Sequence, residues 1–230
     1  TGNATDDRNL TNNANAGNFK PDWLWLKERS STSSHQLHDS TRGSSFAVMS
    51  DSTAAEDEDA NRVQAFQTNG FQVGTASTVN QNTITMVAWQ WKANAGTTTT
   101  NDASSTSIGT VDSVIQANTD AGFSIVTFTG ASNTFSMAHG LGAVPEMIWS
   151  KRRDTDTGNW HVYHKATGKL GATFLNTTSD FADAPYFGDT DPTSTVFSQS
   201  NSSLENGEGA VAYCFRSIQG YSKIGSYEGN

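Results

Sequence analysis

The sequence predicts an all-β protein built of two tandem antiparallel β-sandwich domains of jelly-roll or lectin-like type, related by internal duplication. Short apolar stretches recur about every 8–12 residues between Gly- and Asn-rich turns, which is typical of sandwiches and barrels. Hydrophobic residues make up 34% and aromatic residues 10% of the chain, and small polar residues are abundant. Segments of the first half also return in the second half.

The repeats share one offset. Residues 21–29 return as residues 145–153, and residues 87–92 return as residues 211–216, both 124 positions later. Repeats of this length are whole domains, because solenoid units are far shorter. We therefore expect a first domain over residues 1–95, a Gly/Ser/Thr-rich connector over residues 96–110 and a second domain over residues 111–230.

The elements of the first domain follow from local patterns. Residues 1–18 read as a turn-rich lead. Pro21 opens a strand in which Trp and Leu alternate over residues 23–26, so both faces are apolar and the strand is expected to be covered on both sides or to lie at a domain interface. Asn69 and Gly70 signal a hairpin, and residues 51–62 read as an acidic loop or one helical turn. Further strands are expected over residues 36–39, 46–49, 65–66, 71–73 and 84–91.

The second domain repeats this plan. Residues 111–116 lead into it, and a turn at residues 139–142 precedes Pro145. Strands are expected over residues 123–128, 160–163, 172–175, 196–198, 210–215 and 221–227. The segments 1–3 and 227–230 resemble each other and residues 128–131, which predicts that the chain is a piece of a longer repeat array.

Charge and composition exclude several classes of partner. The net charge is −9, and a protein that neutralises phosphates needs a basic face. We therefore expect no nucleic-acid partner and no binding to anionic lipid. No apolar stretch reaches the length of a membrane span, so no membrane insertion is expected. The single cysteine, Cys214, lies in an apolar strand and is interpreted as a small buried hydrophobe.

Two histidine pairs have a spacing that suggests a metal site. His35 and His38 are three residues apart, as are His161 and His164. Residues three apart in a strand point to opposite faces, and the two pairs do not align with each other between the domains. No metal site is therefore predicted at either pair.

Two acidic segments have a composition that suggests calcium binding. Residues 56–59 lack spaced oxygens and a turning glycine, so they are interpreted as a solvated acidic loop. Residues 154–159 follow an Asp-x-Asp-x-Gly pattern that places Asp154, Asp156 and Asn159 on a turn, without a downstream bidentate Glu. Calcium is the one cofactor that this pattern suggests; an ordinary connecting loop is the alternative.

No catalytic constellation is visible. The chain has no nucleophile elbow, Walker loop or HExxH motif, and no carboxylate pair of the glycosidase kind recurs in both domains. Catalytic sites are seldom duplicated in tandem, whereas binding and scaffolding modules often are. The sequence therefore favours a non-enzyme over a glycan depolymerase.

The tryptophans are either core residues or plates for sugar stacking. Trp160 is the one expected to be exposed, because it follows a loop and His35 takes its place in the first domain. The predicted ligand-binding site therefore consists of Trp160 with Asp154, Asp156 and Asn159.

Several segments carry a resemblance to a known kind of protein. They are residues 19–27, 38–43, 52–56, 69–74, 121–130, 139–145, 211–215 and 220–227. Together they resemble repeat modules in tail-associated and structural proteins of tailed phages, especially those of marine bacteria and cyanobacteria. The resemblance implies a virion surface or extracellular location, as in a tail fibre, spike or decoration protein, and supplies no site residues.

Two functions follow as expectations. The first is a non-enzymatic virion surface module that contacts host surface glycans. The second is a purely architectural repeat of a fibre, capsid surface or extracellular filament, with partners limited to its own copies or other virion proteins. An interface rich in residues such as Trp23 and Trp25 favours the second, and an exposed Trp160 beside carboxylates favours the first.

Overall fold

A computed structural model describes residues 1–15 and 17–229, in which β-strands predominate. The strands of the first half are β1 (Arg8–Leu10), β2 (Trp23–Glu28), β3 (Gln36–Asp39), β4 (Gly43–Met49), β5 (Asp57–Glu58), β6 (Val63–Gln67), β7 (Gly70–Val73) and β8 (Met86–Trp91). Those of the second half are β9 (Thr99–Asn101), β10 (Ser113–Asn118), β11 (Phe123–Thr129), β12 (Thr134–Ala138), β13 (Met147–Arg152), β14 (His161–His164), β15 (Gly171–Phe174), β16 (Ala182–Asp183), β17 (Val196–Ser200) and β18 (Gly209–Phe215). Two short helices are α1 (Ser77–Asn80) and α2 (Ala103–Thr106).

The strands form four antiparallel sheets, which confirms the all-β sandwich class. A three-stranded sheet has the order β1-β7-β6, and a five-stranded sheet has the order β5-β4-β3-β2-β8. An eight-stranded sheet has the order β16-β15-β14-β13-β18-β11-β10-β9, and β12 pairs with β17. The jelly-roll or lectin-like subtype stays a prediction.

The sheets stack as layers because the two large sheets are apolar on both faces. Along β2, Leu24 and Leu26 pack against the three-stranded sheet, while Trp23 and Trp25 face the eight-stranded sheet. The prediction that this strand is covered on both sides is thus confirmed. We call the apolar layer between the five- and eight-stranded sheets the inter-sheet core; its buried members are Trp23, Leu37, Val48, Ala93, Phe123, Ile125, Trp160, Val211 and Tyr213.

Strand β18 shows the same division in the second half. Val211 and Tyr213 enter the inter-sheet core, whereas Ala212 and Cys214 face the opposite way, towards the sheet of β12 and β17. Cys214 is fully buried, as predicted. Burial raises the pKa of its thiol to about 12, so it stays protonated.

The two large sheets share a strand order and a register. The order β5-β4-β3-β2-β8 matches β16-β15-β14-β13-β18. Trp23 pairs with Trp91 in the first, and Met147 pairs with Phe215 in the second, with both partners 124 positions apart. A duplication would produce this agreement, and the duplication itself stays a prediction.

Three segments differ from expectation. The connector 96–110 contains α2 and β9, and β9 pairs with β10, so the connector forms the edge of the eight-stranded sheet. The lead 1–18 contains β1, which pairs with β7. The strand predicted over residues 221–227 is absent from the described part of the chain, because both edges of the preceding β18 are already paired, with β13 and β11.

Candidate functional site: the inter-sheet core and the groove beside it

The inter-sheet core is built around Trp23. Its ring centroid lies 4.5 Å from that of Trp91, 4.7 Å from that of Tyr213 and 5.6 Å from that of Phe123. Aromatic pairs in such geometries contribute about 0.5–1.5 kcal/mol beyond their buried area. The aromatic residues of the two halves therefore stabilise one common interface.

Trp160 belongs to this interface, which corrects the expectation that it is exposed. Its exposed fraction is 0%. The indole Nε1 donates a hydrogen bond to the Met49 carbonyl oxygen at 2.8 Å, and the ring lies near-parallel to Tyr213 at 6.2 Å. The end of β4 covers Trp160, so its ring offers no face to a sugar. Sequence reasoning missed this because the covering strand comes from the other half of the chain.

The three polar residues predicted beside Trp160 lie on one loop but have intramolecular partners. Asp154 accepts a hydrogen bond from the Gly209 N–H at 2.5 Å, and Asp156 accepts one from the Ala55 N–H at 2.8 Å. Asn159 Oδ1 accepts one from Asn176 Nδ2 at 2.9 Å. Within residues 1–15 and 17–229, no group of three or more His, Cys, Asp or Glu side chains could hold a metal ion.

The histidines of the two pairs are likewise buried or hydrogen-bonded within the protein. His38 is fully buried, and its Nδ1 lies 2.8 Å from the Ser44 carbonyl oxygen. Burial lowers the pKa of His38 to about 4 and that of His161 also to about 4, so both rings are neutral at pH near 7. His35 Nδ1 accepts a hydrogen bond from Trp25 Nε1 at 2.7 Å.

A buried ionic network, which the sequence did not reveal, joins the two halves. The guanidinium of Arg42 binds Asp39 and Glu56, each at 2.6 Å. Glu56 also binds Arg153 of β13's following loop at 2.5 Å. Two cations and two anions thus balance, and the chain of contacts crosses from the five-stranded to the eight-stranded sheet. Glu56 was predicted to lie in a solvated loop; its side chain is instead only 10% exposed because Arg42 and Arg153 draw it inwards.

Tyr213 completes the network. Its hydroxyl donates to Asp39 Oδ2 at 2.8 Å and accepts from Arg42 Nη2 at 3.1 Å. Burial raises the pKa of Tyr213 well above its ordinary value, so the hydroxyl stays protonated. Burial disfavours the charge on Arg42, but Asp39, Tyr213 and Glu56 outweigh it and raise its pKa. Neither group exchanges a proton near neutral pH, and the arrangement is suited to holding the sheets together.

The loop between β4 and β5 docks on β13 beside this network. The Glu56 N–H donates to the Arg153 carbonyl oxygen at 2.7 Å. The ammonium of Lys151 donates to the Thr53 carbonyl oxygen at 3.0 Å and to that of Arg152 at 2.9 Å. Burial lowers the pKa of Lys151 to about 8. The loop therefore acts as a clamp between the halves.

A shallow polar groove lies on the eight-stranded sheet next to the clamp. It has a volume of about 600 Å³. The side chains that line it are mainly short and polar, and include Thr100, Asp112, Val114, Thr127, Thr129 and Arg153. Thr127 and Thr129 lie on the same face of β11 as the buried Ile125, so the groove continues the inter-sheet face where the first half no longer covers it.

The chain belongs to the DUF7483 family, described as a domain of unknown function, whose model matches residues 1–230. No curated protein and no solved structure matches the chain. The DUF7483 match spans both halves, including the inter-sheet core and the connector. No helix in the described parts of the chain is long and apolar enough to cross a membrane.

Proposed function

We propose that this protein is a non-enzymatic structural module of a virion surface, such as a tail fibre, spike or decoration protein. One observation carries the proposal: two of the residues that suggested a ligand site, Trp160 and Asp156, join the second half of the chain to the first. Trp160 is buried in the inter-sheet core, and Asp154 and Asp156 bind backbone N–H groups. These aromatic and charged side chains therefore make contacts within the protein that hold its sheets together.

The ionic network supports a mechanical role. A buried ion pair gives little net stability, but removing one partner is strongly destabilising because the other charge stays buried. The network also depends on exact geometry, since the Arg42 guanidinium makes hydrogen bonds to two carboxylates and to the Tyr213 hydroxyl at once. Such geometry favours one relative arrangement of the sheets, as a load-carrying module needs.

The virion location rests on resemblance. The segments that resemble tailed-phage structural proteins include residues 19–27 and 211–215, which supply most of β2 and of β18. Antibodies raised against the purified chain should label the surface of virions from the virus that encodes it. Labelling confined to infected-cell extracts, with none on particles, would contradict this location.

A second candidate function, contact with host surface glycans, is favoured by the groove. Threonine hydroxyls, Asp112 and Arg153 offer the donors and acceptors that sugar hydroxyls need. Binding there would use the exposed end of the inter-sheet face and would not involve Trp160.

A glycan-array screen of the purified chain, with and without calcium, separates the two candidates. A structural module gives a blank array. Saturable binding that is lost in Thr129→Lys, which lies in the groove, but kept in Thr119→Lys, an exposed position outside it, would contradict the purely structural role and establish glycan contact.

A further inference from the structure

Strand β8 has an open edge. It pairs with β2 on one side, and among the described residues no strand pairs with its other side. Its counterpart β18 is paired on both sides, with β13 and β11. An open row of backbone N–H and C=O groups is a template for the addition of a strand.

The hydrogen-bond register identifies the open groups. The Arg29 N–H donates to the Thr85 carbonyl oxygen at 2.9 Å, next to the ladder of β2 and β8. Because antiparallel ladders alternate, the backbone groups of Met86, Ala88 and Gln90 point away from β2. In the corresponding position, Cys214 and Ala212 of β18 pair with Ser124 and Val126 of β11.

An apolar cavity of about 230 Å³ opens beside the same edge, between the three- and five-stranded sheets. The apolar side chains that line it are Leu10, Leu26, Phe71, Val79, Met86 and Ala88. In the second half the corresponding space is filled by Val126 and Phe128 of β11, which pack against Ala212 and Ala210. The carboxamide Oε1 of Gln90, at the rim, is buried and has no partner among the described residues.

The position of Gly2 shows what kind of strand would fit beside the open edge of β8. The Gly2 N–H donates to the Ile84 carbonyl oxygen at 2.8 Å, and the Thr83 N–H donates to the Gly2 carbonyl oxygen at 3.1 Å. Gly130 makes the same two contacts with Glu208 and Gly207, at 2.8 and 2.9 Å. Gly130 directly follows β11, so the place beside residues 85–91 is the place of a β11-like strand.

The C-terminal tail has the sequence of such a strand. Gly220, Tyr221 and Ser222 repeat Gly122, Phe123 and Ser124 at the start of β11, and Ile224 repeats Val126. The tail lies outside every sheet, and Tyr221 and Tyr227 are 68% and 93% exposed. It therefore has the pattern of a strand but pairs with no strand of its own chain; Ser222 forms only an isolated bridge with Ile218.

We propose that residues 221–226 of a second copy of this chain add to β8 as an antiparallel strand, since Thr1 and Gly2 take the places of Thr129 and Gly130 just beyond it. The register of β11 on β18, with Phe123 opposite Phe215, places Tyr221 opposite Trp91 and Ser222 opposite Gln90. The added strand ends where Gly2 occupies the position beside Ile84. The inference deepens the proposed structural function and rests on it, since it names the partner and the surface through which modules join.

The side chains of the tail complement the edge. In this register Ile224 lies opposite Ala88 and faces the apolar cavity, as Val126 faces the corresponding core. Lys223 lies opposite Trp89, whose side chain is 44% exposed, and an ammonium over an indole face is favourable. Strand addition thus covers exposed apolar surface on both faces of β8.

Site-directed cross-linking tests the register. Two full-length chains of different tagged mass, one Gln90→Cys and the other Ser222→Cys, are mixed and oxidised; the native Cys214 is buried and does not interfere. We expect a disulfide-linked species of mixed mass. The out-of-register control, Gln90→Cys mixed with Glu228→Cys, should give several-fold less. Equal cross-linking of the two mixtures, or none in the first, would overturn the proposal.

Sedimentation of the full chain over a concentration series provides a second measurement. We expect reversible association that is lost in Ile224→Pro, a change outside every sheet, and kept in Glu228→Pro, just beyond the added strand. A peptide of residues 217–229 should compete. A chain that stays monomeric, with a blank glycan array, would refute strand addition alone, whereas glycan binding by a chain that does associate would refute only the purely structural role.

Discussion

At the scale of single residues, Arg42 has the greatest influence on how the two halves meet. Its side chain is fully buried and contacts Asp39, Glu56 and Tyr213, the last of which lies 171 positions away in the sequence. Because a buried charge without a partner is costly, each member of the network depends on the others.

Replacing Arg42 tests this dependence. Arg42→Met leaves Asp39 and Glu56 buried without their shared cation, and we expect the free energy of unfolding to fall by about 3–5 kcal/mol. The control Lys165→Met removes a partly exposed pair with Glu146 and should cost less than about 1 kcal/mol. Denaturant unfolding measures both, and equal losses in the two variants would contradict the assigned role.

His38 gives the protein a predictable response to acid. Its pKa is lowered by burial from 6.5 to about 4 in the folded chain. Between these values only the unfolded chain binds the proton, so stability is lost as the pH falls from about 6.5 towards 4. His161 acts in the same direction.

Replacing His38 should remove its share of this acid sensitivity. His38→Asn keeps a donor towards the Ser44 carbonyl oxygen, and between pH of about 7 and about 5 it should lose about 1–2 kcal/mol less unfolding free energy than the parent chain. Unfolding at the two pH values, with His164→Asn at a partly exposed position as control, measures the difference. A variant with the same pH slope as the parent chain would refute the role of His38.

The sequence predicted the burial of residues whose surroundings come from the same strand. It failed for residues that are covered or bound by distant parts of the chain. Cys214 lies in an apolar strand, and its burial followed from that pattern. Trp160 follows a polar loop, so it was expected to be exposed, but Met49, 111 positions away, covers it. The Asp39–Arg42–Glu56–Arg153 network has no local signature, because Arg153 joins it only when the two sheets stack.

At the scale of elements, β8 and β18 occupy equivalent positions in the two large sheets but have different neighbours. Both pair with an equivalent neighbour, β2 or β13, in the same register. The other edge of β8 is open, whereas that of β18 is paired with β11. Identical substitutions in the two strands therefore compare an edge with a sheet interior.

A proline substitution at equivalent positions of β8 and β18 should distinguish the open edge from the paired one. Ala88→Pro removes an N–H that points away from β2, so we expect a loss of less than about 1 kcal/mol in the unfolding free energy of the monomer. Ala212→Pro breaks the ladder between β18 and β11 and should cost about 3 kcal/mol or more. Thermal unfolding of the two variants checks this, and similar losses would show that the β8 edge is not open.

The sequence predicted strands and turns well where the residue pattern was clear. The alternation of Trp and Leu over residues 23–26 predicted a strand covered on both sides, and the hairpin at Asn69 and Gly70 was confirmed as β6 and β7. The lead 1–18 hid β1, because a three-residue edge strand carries almost no pattern. Residues 221–227 have a strand pattern without a strand, because both edges of the preceding β18 are already paired.

At the scale of the whole molecule, four sheets share three apolar layers, and the middle one draws residues from both halves. The halves therefore should not unfold independently. The family match across residues 1–230 agrees with a module that includes both halves.

Truncating the centre of the middle layer should weaken both halves together. Trp23→Ala removes the ring that contacts Trp91, Phe123 and Tyr213, and we expect a loss of about 3–5 kcal/mol. Signals from the first half and the second half, followed by hydrogen exchange, should lose protection in parallel. Loss confined to the first half would show that the layer does not couple them.

Scanning calorimetry of the intact chain tests the central claim, that the inter-sheet core makes the two halves one structural body. We expect a single transition whose calorimetric enthalpy equals its van't Hoff enthalpy, as for a cooperative unit. Two resolved transitions, or a van't Hoff enthalpy near half the calorimetric value, would mean that the halves melt separately and would contradict the account.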